Sequence, residues 1–179
     1  MTSLLLTITF GLIAFSNVHA QTKQSVYTNL DPNSCKTLKS ESSEGGYYLG
    51  RCIGAAGYTL LLEEGDIRQN ITVVTPRKTK HSLDLWTVVS PAFSSVGPKA
   101  EWRISKQGKK LTPSALIVRY NASEDSEHPD KTTSYLVVTK ITPTEICVTD
   151  RVSPGPKANE EARRLADESV TKPCLKGPN

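Results

Sequence analysis

Short runs rich in β-branched and aromatic residues recur along most of the chain, each bounded by Gly, Pro, Asn or Asp. They fall at 47–52, 58–63, 66–75, 84–89, 101–105, 114–120, 134–141 and 145–150, the spacing and composition of successive β-strands. Within them the apolar positions alternate. Trp102 and Ile104 share one side of their run while Glu101, Arg103 and Ser105 share the other, and Leu116, Val118 and Tyr120 oppose Ile117 and Arg119. Tyr135-Leu136-Val137-Val138 does not alternate, which predicts a central strand covered on both sides. Glu64-Gly65 and Lys106-Gln107-Gly108-Lys109 have the length and glycine content of hairpin loops, so neighbouring strands are expected to be antiparallel.

The one helical periodicity lies at 158–170, where Ala158, Ala162, Leu165, Ala166 and Val170 recur three and four apart. Pro154-Gly155-Pro156 precedes it and Lys172-Pro173 stops it. Its apolar face is made mostly of small residues, so it can lie close against a sheet. The expected fold is therefore mainly β, an antiparallel sheet or a partly open barrel or sandwich, with one C-terminal helix packed on it. Residues 21–43 are polar and carry the turn signal Asp31-Pro32-Asn33-Ser34, which reads as a polar N-terminal arm or a short irregular lead-in. Residues 44–175 form the expected single domain and 176–179 a flexible tail.

Residues 4–15 are apolar, and Val18-His19-Ala20 offers small residues to a signal peptidase, so residues 1–20 read as a leader cleaved after Ala20. No later run is long and apolar enough to span a bilayer as a helix. Export changes the meaning of Cys35, Cys52, Cys147 and Cys174. In an oxidising compartment an even count in a small domain indicates two disulfides, and the expected pairs are the sequence neighbours, Cys35 with Cys52 and Cys147 with Cys174. A zinc site would need close pairs of cysteines, which the spacing does not supply.

Composition is that of a globular chain: 179 residues, 37% hydrophobic and 22% charged, with a net charge of +4. No reaction announces itself. Arg51-Cys52-Ile53-Gly54-Ala55-Ala56-Gly57-Tyr58 lacks the third glycine of a dinucleotide loop and the Gly-Lys-Ser/Thr of a P-loop, so no cofactor is expected. Glu63 and Glu64 are adjacent in a strand and point to opposite faces, which rules them out as a pair flanking a glycosidic bond. His81-Ser82-Leu83-Asp84 contains the residue types of a hydrolase triad, with His81 and Asp84 as the candidates, but no nucleophile elbow accompanies them. His128 lies among Glu124, Asp125, Glu127 and Asp130, whose spacing is not that of a calcium loop; no metal is assigned.

Two basic stretches stand out, one with Arg77, Lys78 and Lys80 and one with Lys106, Lys109 and Lys110. They could meet an acidic polymer, although aromatic platforms for nucleic acid are few and no nucleic-acid motif is present. The expectation is feeble polyanion binding, since loops distant in sequence need not share a face. Asn70-Ile71-Thr72 and Asn121-Ala122-Ser123 would be glycosylation acceptors only in a eukaryotic source.

Read together, Arg51-Cys52-x-Gly54-x-x-Gly57, Glu64-Gly65-Asp66-x-Arg68, Glu101-Trp102-Arg103, Ile117-x-Arg119-Tyr120, Val138-Thr139-Lys140 and the alanine-rich helix before Cys174 resemble a family of small exported bacterial proteins of unassigned function. The resemblance covers most of residues 51–174. It implies bacterial export and a cysteine-bearing domain, and it brings no activity or site. Its Arg and Glu residues are expected to form ion pairs across strands. The functional expectation is a non-enzymatic periplasmic or secreted binding domain, or an accessory domain of the envelope whose partner is an envelope protein or an acidic polymer. A small hydrolase centred on His81 is the alternative.

Overall fold

The computed structural model describes residues 23–42 and 45–177, so the expected leader lies outside the described residues, as do the last two residues of the expected tail. Ten strands and two helices follow in the order β1 (Lys23–Asn29), β2 (Lys36–Glu41), β3 (Tyr47–Ile53), β4 (Thr59–Gly65), β5 (Arg68–Val74), β6 (Lys80–Ser82), α1 (Leu85–Val88), β7 (Ser94–Gln107), β8 (Lys110–Ala122), β9 (Thr133–Ile141), β10 (Ile146–Val152) and α2 (Ala158–Glu168). The strands form one sheet in the order β10-β9-β8-β7-β5-β4-β3-β2, with β1 added to β7 and β6 to β5. All pairings are antiparallel except a single parallel bridge, Arg68 to Ser94, where β5 meets β7. That narrow joint divides the sheet into two leaves, one of β1 and β7 to β10, the other of β2 to β6. The mixed, unclosed sheet with its C-terminal helix is the mainly β architecture expected.

The inward residues of both leaves make one core. Leu60, Ile71 and Val73 from one leaf meet Trp102, Ile104, Leu116, Val118 and Tyr120 from the other. A polar seam crosses it. The Trp102 Nε1–H donates to Thr28 Oγ1 at 2.9 Å, and the Thr28 hydroxyl donates to the Ile53 carbonyl at 3.1 Å, which ties β7, β1 and β3 together and satisfies a buried indole. A second, smaller core lies outside the sheet, where Ala162 and Ala166 of α2 sit on Ala115, Ile117, Leu136 and Val138. Strand β9 is thus covered on both sides, as its continuous apolar run predicts.

Two expectations fail. The polar arm is in fact β1 and, after one turn of 3₁₀ helix, β2. These strands carry few large apolar residues because β2 is exposed throughout, leaving little alternation to read. Residues 84–89, expected as a strand, contain the short helix α1. Its first amide donates to the Asn70 side chain at 3.1 Å, and Leu85 and Val89, four apart, both point into the core. An apolar run this short fits either state, and tertiary contacts decide.

The hairpin turns also differ in detail. Between β4 and β5 the turn is Asp66-Ile67, not Glu64-Gly65, and both residues have positive φ, 51° and 56°. A two-residue hairpin needs that geometry to match strand twist. For a β-branched residue it costs about 1–2 kcal/mol. Between β7 and β8 the turn is Gly108-Lys109, within the expected stretch.

Both disulfides form as expected, Cys35–Cys52 and Cys147–Cys174. The first joins the start of β2 to β3; the second fastens the segment after α2 to β10.

Candidate functional site

In a meander, successive connections lie at alternate ends of the sheet. The β3–β4, β5–β6, β7–β8 and β9–β10 connections therefore share one end, and both basic stretches fall there. Between them opens a groove of about 470 Å³, lined by Tyr58, Arg77, Thr79 and His81 on one leaf and by Thr112, Pro113, Ile141 and Thr144 on the other. Its size suits a small organic ligand.

The wall begins with a turn that tolerates no side chain at Gly54. A Cβ on Gly54 would come within 2.7 Å of the Trp102 ring and 2.8 Å of the Tyr58 carbonyl. Gly54 thus lets the β3–β4 connection close, its N–H donating to the Tyr58 carbonyl at 3.0 Å. Tyr58 then packs on Trp102 with ring centroids 5.7 Å apart. Burial pushes the Tyr58 phenol above its ordinary pKa, so the group stays protonated and able to donate. It makes no hydrogen bond to another described residue.

Threonine hydroxyls recur along the rest of the lining, among prolines and Ile141. Thr75 Oγ1 accepts from the Thr79 amide at 3.2 Å, and Thr142 Oγ1 bridges both backbone groups of Glu145 at 2.8 and 2.9 Å, so these two are spent on turns. The hydroxyls of Thr79, Thr112 and Thr144 have no such partner among the described residues. Charged and titratable lining groups other than Tyr58 are Arg77 and His81; no carboxylate among the described residues lines the groove.

The basic stretches divide at this surface. Arg77 lines the groove, whereas Lys78 and Lys80 are exposed outside it. Lys106, Lys109 and Lys110 are exposed on the β7–β8 hairpin, with Lys110 two residues from Thr112 and on the same strand face. The two loops do share an end of the molecule, because the topology brings together what sequence distance separates.

His81 and Asp84 do not assemble a triad. Ser82 Oγ donates to Asp84 Oδ1 at 2.6 Å and accepts from Asn70 Nδ2 at 2.9 Å, so both residues organise the entry to α1. His81, one residue earlier in β6, points the other way, into the groove. No hydrogen bond joins it to either among the described residues.

The acidic loop likewise turns inward on itself. Glu124 accepts from the Tyr135 hydroxyl at 2.7 Å, and Asp125 accepts from the Glu127 amide and meets the His128 ring, each at 2.9 Å. Among the described residues one cluster of metal-binding types comes together, Glu145 with Cys147 and Cys174, and its two sulfurs are already joined as a disulfide.

Of the Arg and Glu residues expected to pair across strands, Glu101 and Arg103 form ion pairs, but from strand to helix, and Arg68 pairs with Asp66 of its own hairpin turn. Arg103 grips Asp167 of α2 through two hydrogen bonds of 2.9 Å, and Glu101 receives Arg163 of α2 at 2.7 and 3.1 Å. They serve the docking of α2. Sequence reading missed Tyr58, Thr112 and residues 141–144 as a site; Thr142-Pro143-Thr144 is a turn signal, yet no local pattern says which other loops it faces.

No protein-family model, curated protein or solved structure matches the chain.

Proposed function

We propose that the protein is an exported, non-enzymatic binding domain whose groove takes a small anionic ligand rich in hydroxyl groups, of which an acidic saccharide is the best fit. The observation that carries this reading is the composition of the lining: Arg77 as the cation, the ring nitrogens of His81, unspent hydroxyls on Tyr58, Thr79, Thr112 and Thr144, and no opposing carboxylate among the described residues. A guanidinium favours planar or tetrahedral oxyanions, and hydroxyls serve a polyol as donor or acceptor. Tyr58, Pro76, Pro113 and Pro143 add the apolar surface on which a sugar ring can lie. Binding is favoured over hydrolysis because Ser82 and Asp84 are committed to α1 and leave His81 without a nucleophile. Two disulfides fit an oxidising, exported location, and the resemblance to exported bacterial proteins supports the same compartment.

Calorimetric titration with a sulfated heparin-derived disaccharide, beside a neutral disaccharide of the same size, tests this. The sulfated ligand is expected to bind and the neutral one to bind much more weakly. Arg77→Ala should weaken binding by about tenfold, the loss of one charge-assisted hydrogen bond, while Lys78→Ala changes it by less than about twofold. Equal losses in the two variants would mean a diffuse basic surface in place of a site.

A further inference from the structure

The opposite end of the sheet carries a different surface. Ile67, at the tip of the β4–β5 hairpin, is 61% exposed, and Phe93, just before β7, is 46% exposed. The two are linked, since the Ser94 amide donates to the Ile67 carbonyl at 3.0 Å. Beside them is a shallow cavity of about 420 Å³ lined by Gly65, Asp66, Arg68, Trp86 and Pro91. Arg68 is held in place there: it donates to the Pro91 carbonyl at 2.9 Å, pairs with Asp66, and stacks on Phe93 with its guanidinium carbon 4.8 Å from the ring centroid.

Ile67 is the telling residue. Its φ of 56° lies where a β-branched side chain is strained, and glycine or asparagine would sit without that strain. Its side chain is exposed, so packing within the domain does not repay the strain. A strained, exposed isoleucine linked to the strand that follows an exposed phenylalanine has the character of a docking anchor.

The surroundings select the partner's charge. Asp66 neutralises Arg68, and the β8–β9 loop rises from the same place, its Ser123 amide donating to the Phe93 carbonyl at 2.9 Å. Glu127 and Asp130 of that loop are exposed and pair with no cation among the described residues. Lys131 of the same loop is exposed too, but Glu124, Asp125, Glu127 and Asp130 outnumber it, so the rim is acidic. We infer that this end docks a polypeptide segment carrying apolar side chains and positive charge, a partner distinct from the ligand of the groove.

The test uses the oxidised protein and a peptide of alternating Leu and Lys, with a Ser–Lys peptide as control. The Leu–Lys peptide is expected to bind, and Ile67→Gly to weaken it by about tenfold while the variant melts at a higher temperature than the native protein. Ile67→Asn, which also tolerates positive φ, should reproduce both effects, so a folding defect in one variant does not hide the outcome. Equal binding of the Ser–Lys peptide, unchanged binding by the Ile67 variants, capture of the native protein by phosphatidylcholine vesicles, or self-association lost in Ile67→Gly would each overturn the inference.

Discussion

A carboxylate taken out of water ordinarily gains a proton, yet Glu101, with its side chain 12% exposed beneath α2, is held ionised. Burial pushes its pKa up, but hydrogen bonds from Arg163 and Ser25 and the charges of Arg163 and Arg103 outweigh burial and hold it below the ordinary 4.5. A group depressed by folding contributes stability that is complete above its unfolded pKa and is lost as the pH falls through the folded one. The melting temperature should therefore hold near neutrality and decline below about pH 4.5, the ordinary carboxyl value. Glu101→Gln is expected to cost about 2 kcal/mol at neutral pH and to flatten that acid decline. Thermal melts of both proteins across the acid range check it. The sequence shows Glu101 and Arg103 on one strand face, and ion pairing follows from that. It does not show that the partners are on α2, because Arg163 and Asp167 lie on a helix whose docking site is set by distant residues.

At the level of elements, legibility follows how much periodicity each one carries. Strand β8 and helix α2 were legible because Leu116, Val118 and Tyr120, or Ala162 and Ala166, repeat at the spacing of a strand and of a helix, and β9 because its apolar run is continuous and rich in β-branched and aromatic residues. Strand β2 was not, since an edge strand exposed along its whole length has no buried face to mark. The last element also shows how a cross-link holds a small contact area. Helix α2 meets the sheet largely through alanines, which bury little surface each, so its position depends on the ion pairs and on Cys147–Cys174. That bridge closes a separation of 27 residues. Replacing both cysteines by serine should cost roughly 3 kcal/mol. Hydrogen exchange should show the loss first in α2, with the β4–β5 leaf little changed; uniform loss over the whole domain would contradict the local role.

Over the whole molecule, antiparallel order converts sequence alternation into polarity of shape and charge. Connections carrying Arg77, Lys78, Lys80, Lys106, Lys109 and Lys110 share one end, while the β8–β9 loop with Glu127 and Asp130 and the Ile67 hairpin share the other. The mainly β class and the single C-terminal helix were legible from pattern alone, as were both disulfides from the neighbouring spacing of the cysteines. The groove was not, because its lining comes from segments near 58, 77, 112 and 142 that only the meander brings together. Mapping the sulfated disaccharide by amide chemical shifts at physiological salt locates the ligand on the molecule. Shifts are expected at Tyr58, Arg77, Thr79, His81, Thr112 and residues 142–144, with Ile67 and Phe93 unmoved. Shifts confined to Lys78, Lys80 and residues 106–110, with Tyr58 and residues 142–144 silent, would contradict the groove as the binding site.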